Sequence, residues 1–200
     1  ERFSGDFMFF HSGEEHESLY RGFPVRNLTI ELESDFFETN EVSETDLGLA
    51  LGNGPDARFS LLRIYREVVT GDEFSSNSIE MLLLSLFSGS DSRQRTRPVW
   101  INRVAEILHD NWNSELSVSE LATAANVHPK TISKQFPRYF GCTLGEYRRK
   151  IKIEKALQLV KSSNLTLAEV ALECGFYDQS HFTAAFKRLT GLLPRQFQKI

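Results

Sequence analysis

Two short segments of the sequence place hydrogen-bonding side chains three and four residues apart. Lys130, Ser133 and Lys134 follow this spacing in the first segment, and Ser180 and Thr183 follow it in the second. Residues at these intervals lie on one face of an α-helix. Lysine can donate to guanine O6 or N7, and serine or threonine can serve either kind of base edge. Both segments are therefore candidates for contact with nucleic acid.

Apolar residues fill the opposite side of both segments, which predicts two helices with packed inner faces. The inner positions are Ile132, Phe136 and Tyr139 in the first helix and Phe182, Ala185, Phe186 and Leu189 in the second. The outer face of the first helix then also holds Pro137, and that of the second holds Ala184 and Lys187.

The two segments are copies within an internal repeat. Glu120 and Glu169 correspond at an offset of 49 residues, whereas Phe136 and Phe186 correspond at an offset of 50, so one residue is inserted before the second helix of the second copy. Each copy predicts a helix, a tight turn and a second helix, which is the order of a helix-turn-helix motif. The alternative is a plain helical bundle that packs and does nothing more.

Residues suited to turns and helix starts stand at matching places in the two copies. Asn126 and Gly175 occupy the turns, where a left-handed backbone is needed. Pro129 is expected at the first position of one second helix, and Asp178 is expected to N-cap the other.

A long helix over residues 143–162 is predicted between the copies, as a rigid spacer between them. It is basic near one end, where Arg148, Arg149, Lys150 and Lys152 are expected to make some phosphate contacts. Each real phosphate contact would steepen the salt dependence of the affinity by about −0.9 on a log–log scale.

Charge is divided unevenly along the chain. The whole chain has a formal net charge of −4, with −9 over residues 1–97 and +5 over residues 98–200. This asymmetry points to nucleic acid binding by the basic half.

The N-terminal part predicts mixed structure. Residues 7–33 are typical of β-structure, with strands at 7–10 and 25–32, and a helical, acidic pattern begins at Ser34. Residues 40–55 are polar and contain a loop signal at 52–55.

Two helices are predicted over residues 56–89 and form a hairpin. Asp56 is expected to cap the first helix, and Ser75 or Ser78 to begin the second. The hairpin packs on the β part or forms a dimer contact, and it could do both.

Residues 90–97 are polar and charged, as in a linker. Pro98 is then expected in the first turn of a helix whose apolar positions are Val99, Val104, Ile107, Leu108 and Trp112.

Composition excludes several classes of protein. No run of 18 apolar residues occurs, so we expect no transmembrane helix. The two cysteines, Cys142 and Cys174, form neither a metal-binding spacing nor a disulfide framework, and we expect both to be packing residues in a reducing cytoplasm. No secretory leader is apparent. Because Glu1 is not an initiator methionine, we expect natural sequence before it.

The basic half resembles the AraC/XylS family of bacterial transcription regulators. Residues 147–160 resemble the connecting helix of the family, with Lys152-Ile153 where Arg-Leu is usual. Residues 168–176 resemble the first helix and turn of its second motif, and residues 180–197 resemble the following helix and C-terminal signature. The resemblance implies an all-α domain over 98–200, with motifs at about 117–139 and 166–189. Both second helices would enter successive major-groove segments on one face of DNA.

The resemblance carries base-reading positions over to this chain: Lys130, Ser133 and Lys134 in the first motif, and Gln179, Ser180 and Thr183 in the second. Three nearby basic residues, Arg138, Lys187 and Arg188, complete the candidate DNA-binding residues. The family usually has arginine in place of Ala184 and a basic residue in place of Pro137, and its signature usually ends in Tyr-Arg rather than Phe197-Gln198. We therefore expect the second motif mainly to hold the DNA backbone, while Lys130, Ser133 and Lys134 carry more of the sequence choice.

The N-terminal part resembles the end of a cupin-like regulatory domain. Residues 5–20 follow the spacing of the second cupin motif, with His11 where proline is usual and Tyr20 where asparagine is usual. The first cupin motif is absent from this chain, so His16 is a weak candidate for effector binding rather than a metal ligand. Residues 1–55 are thus expected to be an incomplete effector domain. Residues 56–88 resemble the dimerisation helices of the family.

Together these features predict an α+β protein: a partial cupin-like β segment, a helical hairpin, and an all-α domain with two helix-turn-helix motifs joined by a long helix. The expected function is a ligand-responsive, DNA-binding transcription regulator, with activation favoured, no enzymatic activity and no cofactor. The expected partners are double-stranded DNA, an unidentified small-molecule effector and a second copy of the chain, and RNA polymerase is a further candidate.

Two alternatives remain open from the sequence. One is a cupin-type metal enzyme with an appended helical domain, and the other is an interaction protein that pairs through 56–88 and has lost DNA binding. DNA-repair methyltransferases use a similar DNA-binding domain, but their cysteine-rich zinc site does not fit the two scattered cysteines of this chain.

Overall fold

The computed structural model describes residues 10–15, 29–52, 55–87 and 97–200, and these residues form helices without any strand. The helices of the N-terminal part are α1 (Ser34–Thr39), α2 (Glu44–Gly52), α3 (Pro55–Thr70) and α4 (Ser75–Phe87). Those of the C-terminal part are α5 (Val99–Asp110), α6 (Val118–Ala124), α7 (Pro129–Phe140), α8 (Leu144–Ser162), α9 (Leu167–Glu173), α10 (Gln179–Thr190) and α11 (Pro194–Phe197). The helical part of the predicted fold is confirmed.

The predicted β segment is not found within the described residues. Phe10 and residues 29–33 adopt no strand, and the remainder of the two predicted strands lies outside those residues. Ile30 and Leu32 instead pack their side chains against a cluster formed by α2, α3 and α4. The β-branched and aliphatic pattern there reflects burial against helices rather than pairing in a sheet.

The polar range 40–55, in which the sequence indicated only a loop signal at 52–55, also contains a helix that was not predicted, because α2 occupies most of it. Ser43 and Asp46 bond reciprocally at its start: each backbone amide donates to the other's side chain, at 3.2 and 3.1 Å. Leu47, Ala50 and Leu51 are buried at helical spacing. Two polar capping residues and a narrow apolar stripe were thus enough to make a helix.

The starts of the later helices differ slightly from expectation. Because α3 begins at Pro55, Asp56 lies in its first turn instead of capping it. Ser75 begins α4, as predicted. Pro98 is the N-cap of α5, and Val99, predicted to be on the apolar face, is 86% exposed. The buried side of α5 is formed by Ile101, Val104 and Leu108.

The C-terminal half contains two hydrophobic cores, and one helix contributes to both. The first core gathers side chains from α5, α6, α7 and the start of α8, including Ile151. The second gathers side chains from α8, α9, α10 and α11, including Ile153 and Val160. Because α8 enters both cores, it connects the two helical units as a continuous rod.

Three helices of this half begin with the same capping arrangement, in which a Ser or Thr hydroxyl and a Glu side chain each bond the other's backbone amide. The pairs are Ser117–Glu120, Thr143–Glu146 and Thr166–Glu169. Bonds from the Ser or Thr partner hold the pKa of each of these carboxyls below its usual value. The capping boxes fix where α6, α8 and α9 begin.

The two cysteines differ in their surroundings. Cys174 is 0% exposed in the second core, and burial raises the pKa of its thiol to about 12. Cys142 is half-buried between α7 and α8, and burial also raises its pKa. The packing role predicted for Cys174 is confirmed.

Within the described ranges, no helix is both long and apolar enough to span a lipid bilayer.

Candidate nucleic-acid interface

The first motif consists of α6 and α7, joined by a tight turn. Asn126 in this turn has a φ of 53°, the left-handed conformation predicted for it. His128 is the N-cap of α7, and its Nδ1 accepts a hydrogen bond from the Lys130 amide at 3.2 Å. Pro129 follows at the first helical position, as predicted. The turn and the start of the second helix are therefore both set by local chemistry.

Two fully buried side chains orient α7. Ile132 and Phe136 are each 0% exposed in the first core, so the helix cannot rotate about its axis without breaking that core. The opposite side, the outer face of α7, exposes Lys130, Ser133, Lys134 and Arg138. Pro137 lies on the same face and is half-buried. The predicted division of α7 into inner and outer faces is confirmed.

The second motif consists of α9 and α10 and repeats this design with different residues. Gly175 in the turn has a φ of 66°, and a Cβ added there would lie 2.8 Å from the backbone oxygen of Asn113. Both the conformation and the close approach thus require glycine. Asp178 caps α10 as predicted, its carboxylate accepting from the His181 amide at 2.7 Å.

Buried side chains orient α10 in the same way. Phe182 and Phe186 are each 0% exposed, and Ala185 is 7% exposed. The outer face of α10 consists of Gln179, Ser180, Thr183, Ala184, Lys187 and Arg188, all exposed except the half-buried Thr183. The nine candidate residues therefore lie on the outer faces of two helices, one in each motif.

Two basic residues of α8 bond to loops within the molecule. Lys152 Nζ donates to the Gly175 carbonyl at 2.7 Å and lies 5.7 Å from the ring centre of Phe176. Burial lowers the pKa of Lys152. Arg148 donates to the Ser114 carbonyl at 3.2 Å. These contacts hold the turn of the second motif and the connection between α5 and α6 against α8, whereas the sequence had suggested that both residues contact phosphates.

An arginine of α3 closes the end of α10. Arg63 Nε donates to the carbonyl of Leu189 at 3.0 Å, and its Nη2 donates to the carbonyl of Arg188 at 2.8 Å. These carbonyls belong to the last turn of the helix, where a cation also interacts favourably with the helix dipole. Sequence reasoning missed this contact, because 125 residues separate Arg63 from Arg188.

Further contacts dock α3 onto the second half of the domain. Phe59 is 3% exposed and belongs to the second core. Lys150 Nζ lies 2.6 Å from the Asp56 carboxylate, and the closest Arg58–Glu154 approach is 3.8 Å. The second motif therefore rests on the N-terminal helices, in addition to its own core.

Tyr177 was also missed by the sequence reasoning. It is the residue inserted in the second repeat, directly before the N-cap Asp178, and it is 89% exposed. The change of repeat offset from 49 to 50 was the signal that could have singled it out. Its phenol group stands beside the start of α10.

Comparison with known proteins assigns the domain. Residues 121–200 match a family model described as a helix-turn-helix domain. The transcriptional regulator GbdR of Pseudomonas aeruginosa is 26% identical over 133 residues, covering 62% of this chain and 36% of that protein. The Msm operon regulatory protein of Streptococcus mutans is 28% identical over 121 residues, covering 60% of this chain and 42% of that protein. These matches lie in the C-terminal part of the chain and support its resemblance to AraC family transcription regulators.

The relatives with matching sequence are longer than this chain. The transcriptional activator RhaR of Escherichia coli is 28% identical over 87 residues, which cover 44% of this chain and 31% of that protein. The chain thus spans about 31–42% of the length of these three kinds of relative.

Solved structures with some similarity include the C-terminal domain of AraT from Geobacillus stearothermophilus. It has 27% identity and a TM-score of 0.47, covering 51% of this chain and 85% of that one. ToxT from Vibrio cholerae has 14% identity and a TM-score of 0.46, covering 84% of this chain and 68% of that one.

Two outer-face positions depart from the AraC family pattern in chemically different ways. Pro137 lies inside α7 and has no amide hydrogen to donate to the Ser133 carbonyl. Ala184 places only a methyl group on the outer face of α10. At the repeat offset of 50, Lys134 corresponds to Ala184 and Lys187 to Pro137, so each of these two positions has a lysine in only one motif.

Among the described residues, no group of three His, Cys, Asp or Glu side chains is arranged to hold a metal ion. His16, the weak candidate for effector binding, lies outside those residues.

Proposed function

We propose that this protein is a sequence-specific transcription regulator of the AraC type, whose α7 and α10 bind the major groove of double-stranded DNA. One observation carries the proposal. Two matched helices fully bury the central side chains of their inner faces and expose polar and basic outer faces, in two motifs connected by one continuous helix. A plain bundle would not need the same outer positions free in both copies.

The length of the connecting helix supports simultaneous contact by both motifs. With 19 residues, α8 is about 28 Å long at 1.5 Å per residue. Successive major-groove segments on one face of B-DNA are about 34 Å apart. The length of α8 and the spacing of the groove segments are similar, so α7 and α10 can bind adjacent major-groove segments on one DNA face.

The distribution of charge supports DNA as the ligand. The candidate cations Lys130, Lys134, Arg138, Lys187 and Arg188 are all exposed. They belong to the half of the chain with a net charge of +5. The exposed phenol of Tyr177 adds a donor for a phosphate at the start of α10. Because Arg148, Lys150 and Lys152 of α8 bond within the protein, we infer that the two outer faces make most of the phosphate contacts.

The regulatory part of the proposal concerns residues 1–88. We infer an effector domain that includes residues 1–55 and responds to a small molecule, and activation is favoured because the relative RhaR is named an activator. A homodimer through residues 56–88 is supported by four exposed apolar side chains on this hairpin: Val68, Val69, Phe74 and Met81. RNA polymerase remains a candidate partner of an activator.

Selection of bound sequences from random duplex DNA, at stated salt concentrations, tests the proposal. The whole 200-residue chain is used, because Phe59 and Arg63 of α3 complete the second half of the domain. We expect enrichment of a site with two blocks about one helical turn apart. Binding that shows no sequence enrichment, or no binding at 0.1 M salt, would overturn the proposal.

A further inference from the structure

The outer face of α10 is built from shorter side chains than the outer face of α7. At the repeat offset of 50, Ser180 corresponds to Lys130, and Ala184 corresponds to Lys134. Ala184 is exposed, and Thr183 beside it is half-buried. The centre of this face therefore presents methyl groups where α7 presents an ammonium group on a flexible stem.

These methyl groups are held in fixed positions. Phe182 and Phe186 flank them in sequence and are fully buried, so α10 cannot rotate to bring another face outward. Asp178 caps the beginning of the helix, and Arg63 closes its end. With short side chains at the centre, the helix backbone can also approach the floor of a groove more closely than α7 can.

The major groove of DNA offers one apolar group, the C5 methyl of thymine, and alanine and the threonine methyl are side-chain groups that contact it. From this match we propose that Thr183 and Ala184 select thymine at the site of α10 by methyl contact, whereas α7 reads its site mainly through hydrogen-bond donors. This inference rests on the proposed function and names the base that the second motif recognises. It also changes the part expected for the second motif, from holding the DNA backbone to reading a sequence.

The position read by Ala184 is located first. Arginine pairs with guanine through two hydrogen bonds, so the variant Ala184→Arg is expected to replace thymine by guanine at one position of the selected site. The wild-type chain and the variant are compared by selection from the same random DNA. If the variant enriches the same base as wild type at every position, Ala184 does not face a base edge and the inference is wrong.

The methyl contact is then tested by replacing thymine with deoxyuridine, which lacks only the C5 methyl. At the located position, we expect wild-type affinity to fall about fourfold, the effect of burying one methylene-sized group. Ala184→Gly is expected to bind thymine and deoxyuridine duplexes with equal affinity. Thr183→Ser removes one methyl and keeps the hydroxyl, so it is expected to lose the thymine preference at its own neighbouring position.

Two controls separate this contact from general effects. Ala105→Gly makes the same helix-weakening change in α5, away from both outer faces, and is expected to keep the full preference for thymine. Thermal unfolding of each variant checks that α10 is still folded. If Ala184→Gly is unfolded, the methyl contact is tested with Thr183→Ser alone. Equal wild-type affinity for thymine and deoxyuridine throughout the half-site of α10, with specific binding retained, would overturn this inference alone. Loss of all sequence enrichment would instead overturn the proposed function.

Discussion

The two helix-turn-helix motifs share a scaffold but differ in what surrounds them and in what they expose. The first motif is completed by α5 and exposes lysines on the outer face of α7. The second is completed by α3, which reaches it from the N-terminal part of the chain, and exposes mainly short side chains at the centre of α10. The same fold element can therefore carry a different chemical task in each copy. The second copy is also the one that contacts the proposed regulatory part of the chain, through α3.

The largest expected effects come from the two cores. Phe136→Ala and Phe182→Ala each remove a fully buried ring and should destabilise the protein by about 3–5 kcal/mol. Because each ring belongs to one core, amide hydrogen exchange should speed up first in α6 and α7 for Phe136→Ala. It should speed up first in α9 and α10 for Phe182→Ala. Equal acceleration in both motifs from either change would show that the two halves unfold as one unit.

The next largest effect separates the two outer faces. Lys134→Ala should weaken binding to the selected DNA site by roughly 1–3 kcal/mol, if Lys134 donates to a base. Thr183→Ala should cost less, below about 1 kcal/mol, since it removes a small group. Fluorescence anisotropy on the selected site and on a scrambled duplex measures both. A larger loss of specificity from Thr183→Ala than from Lys134→Ala would contradict the expectation that α7 contributes more sequence selectivity than α10.

A smaller effect tests the contact between α3 and the second motif. Arg63→Ala removes two charge-assisted hydrogen bonds to the last turn of α10 and should lower the free energy of unfolding by ~1.5 kcal/mol. Arg103→Ala in α5 is the matched control, because Arg103 is exposed and pairs only with Glu106 among the contacts described for it. Urea denaturation measures both variants. If Arg63→Ala is as mild as Arg103→Ala, the docking of α3 contributes little to the second motif.

The smallest effect concerns acid stability and should be alike in both motifs. The pKa values of Glu120 and Glu169 are lowered in the folded state by bonds to their capping partners. Their contribution is therefore present above the ordinary carboxyl pKa of about 4.3 and is lost as the pH falls through the lower folded-state value. Urea midpoints measured from pH 6 to pH 2.5 should fall less for Glu169→Gln than for wild type. A parallel fall in both would show that this capping carboxylate has no role in acid stability.

Local chemistry made most of the C-terminal half predictable from sequence. The left-handed turns at Asn126 and Gly175, the cap at Asp178, and the inner and outer faces of α7 and α10 each depend on residues within a few positions of one another. The docking of α3 was not predictable in this way, because a contact such as Arg63 to Arg188 has no local signature.

Two errors elsewhere have simpler causes. The helix α2 was missed because the polar composition of its range does not suggest a helix. The signals that do indicate one are the capping pair Ser43 and Asp46 and the helical spacing of Leu47 and Leu51, which are buried. Val99 was placed on the inner side of α5 by its residue type. It lies two positions before the buried Ile101, and therefore on the opposite side of the helix, where it is 86% exposed.

Because Cys174 is fully buried in the second motif, the rate at which its thiol is labelled can report how often that motif opens. A thiol reacts as its thiolate, and burial with a pKa of about 12 keeps this one protonated and covered. A thiol reagent can modify it only when the turn between α9 and α10 opens, so its labelling rate measures the population of that open state. Cys142, half-buried where the first motif ends, supplies a second signal in the same molecule. The ratio of the two rates would report how each motif opens, with and without DNA, and needs no engineered label.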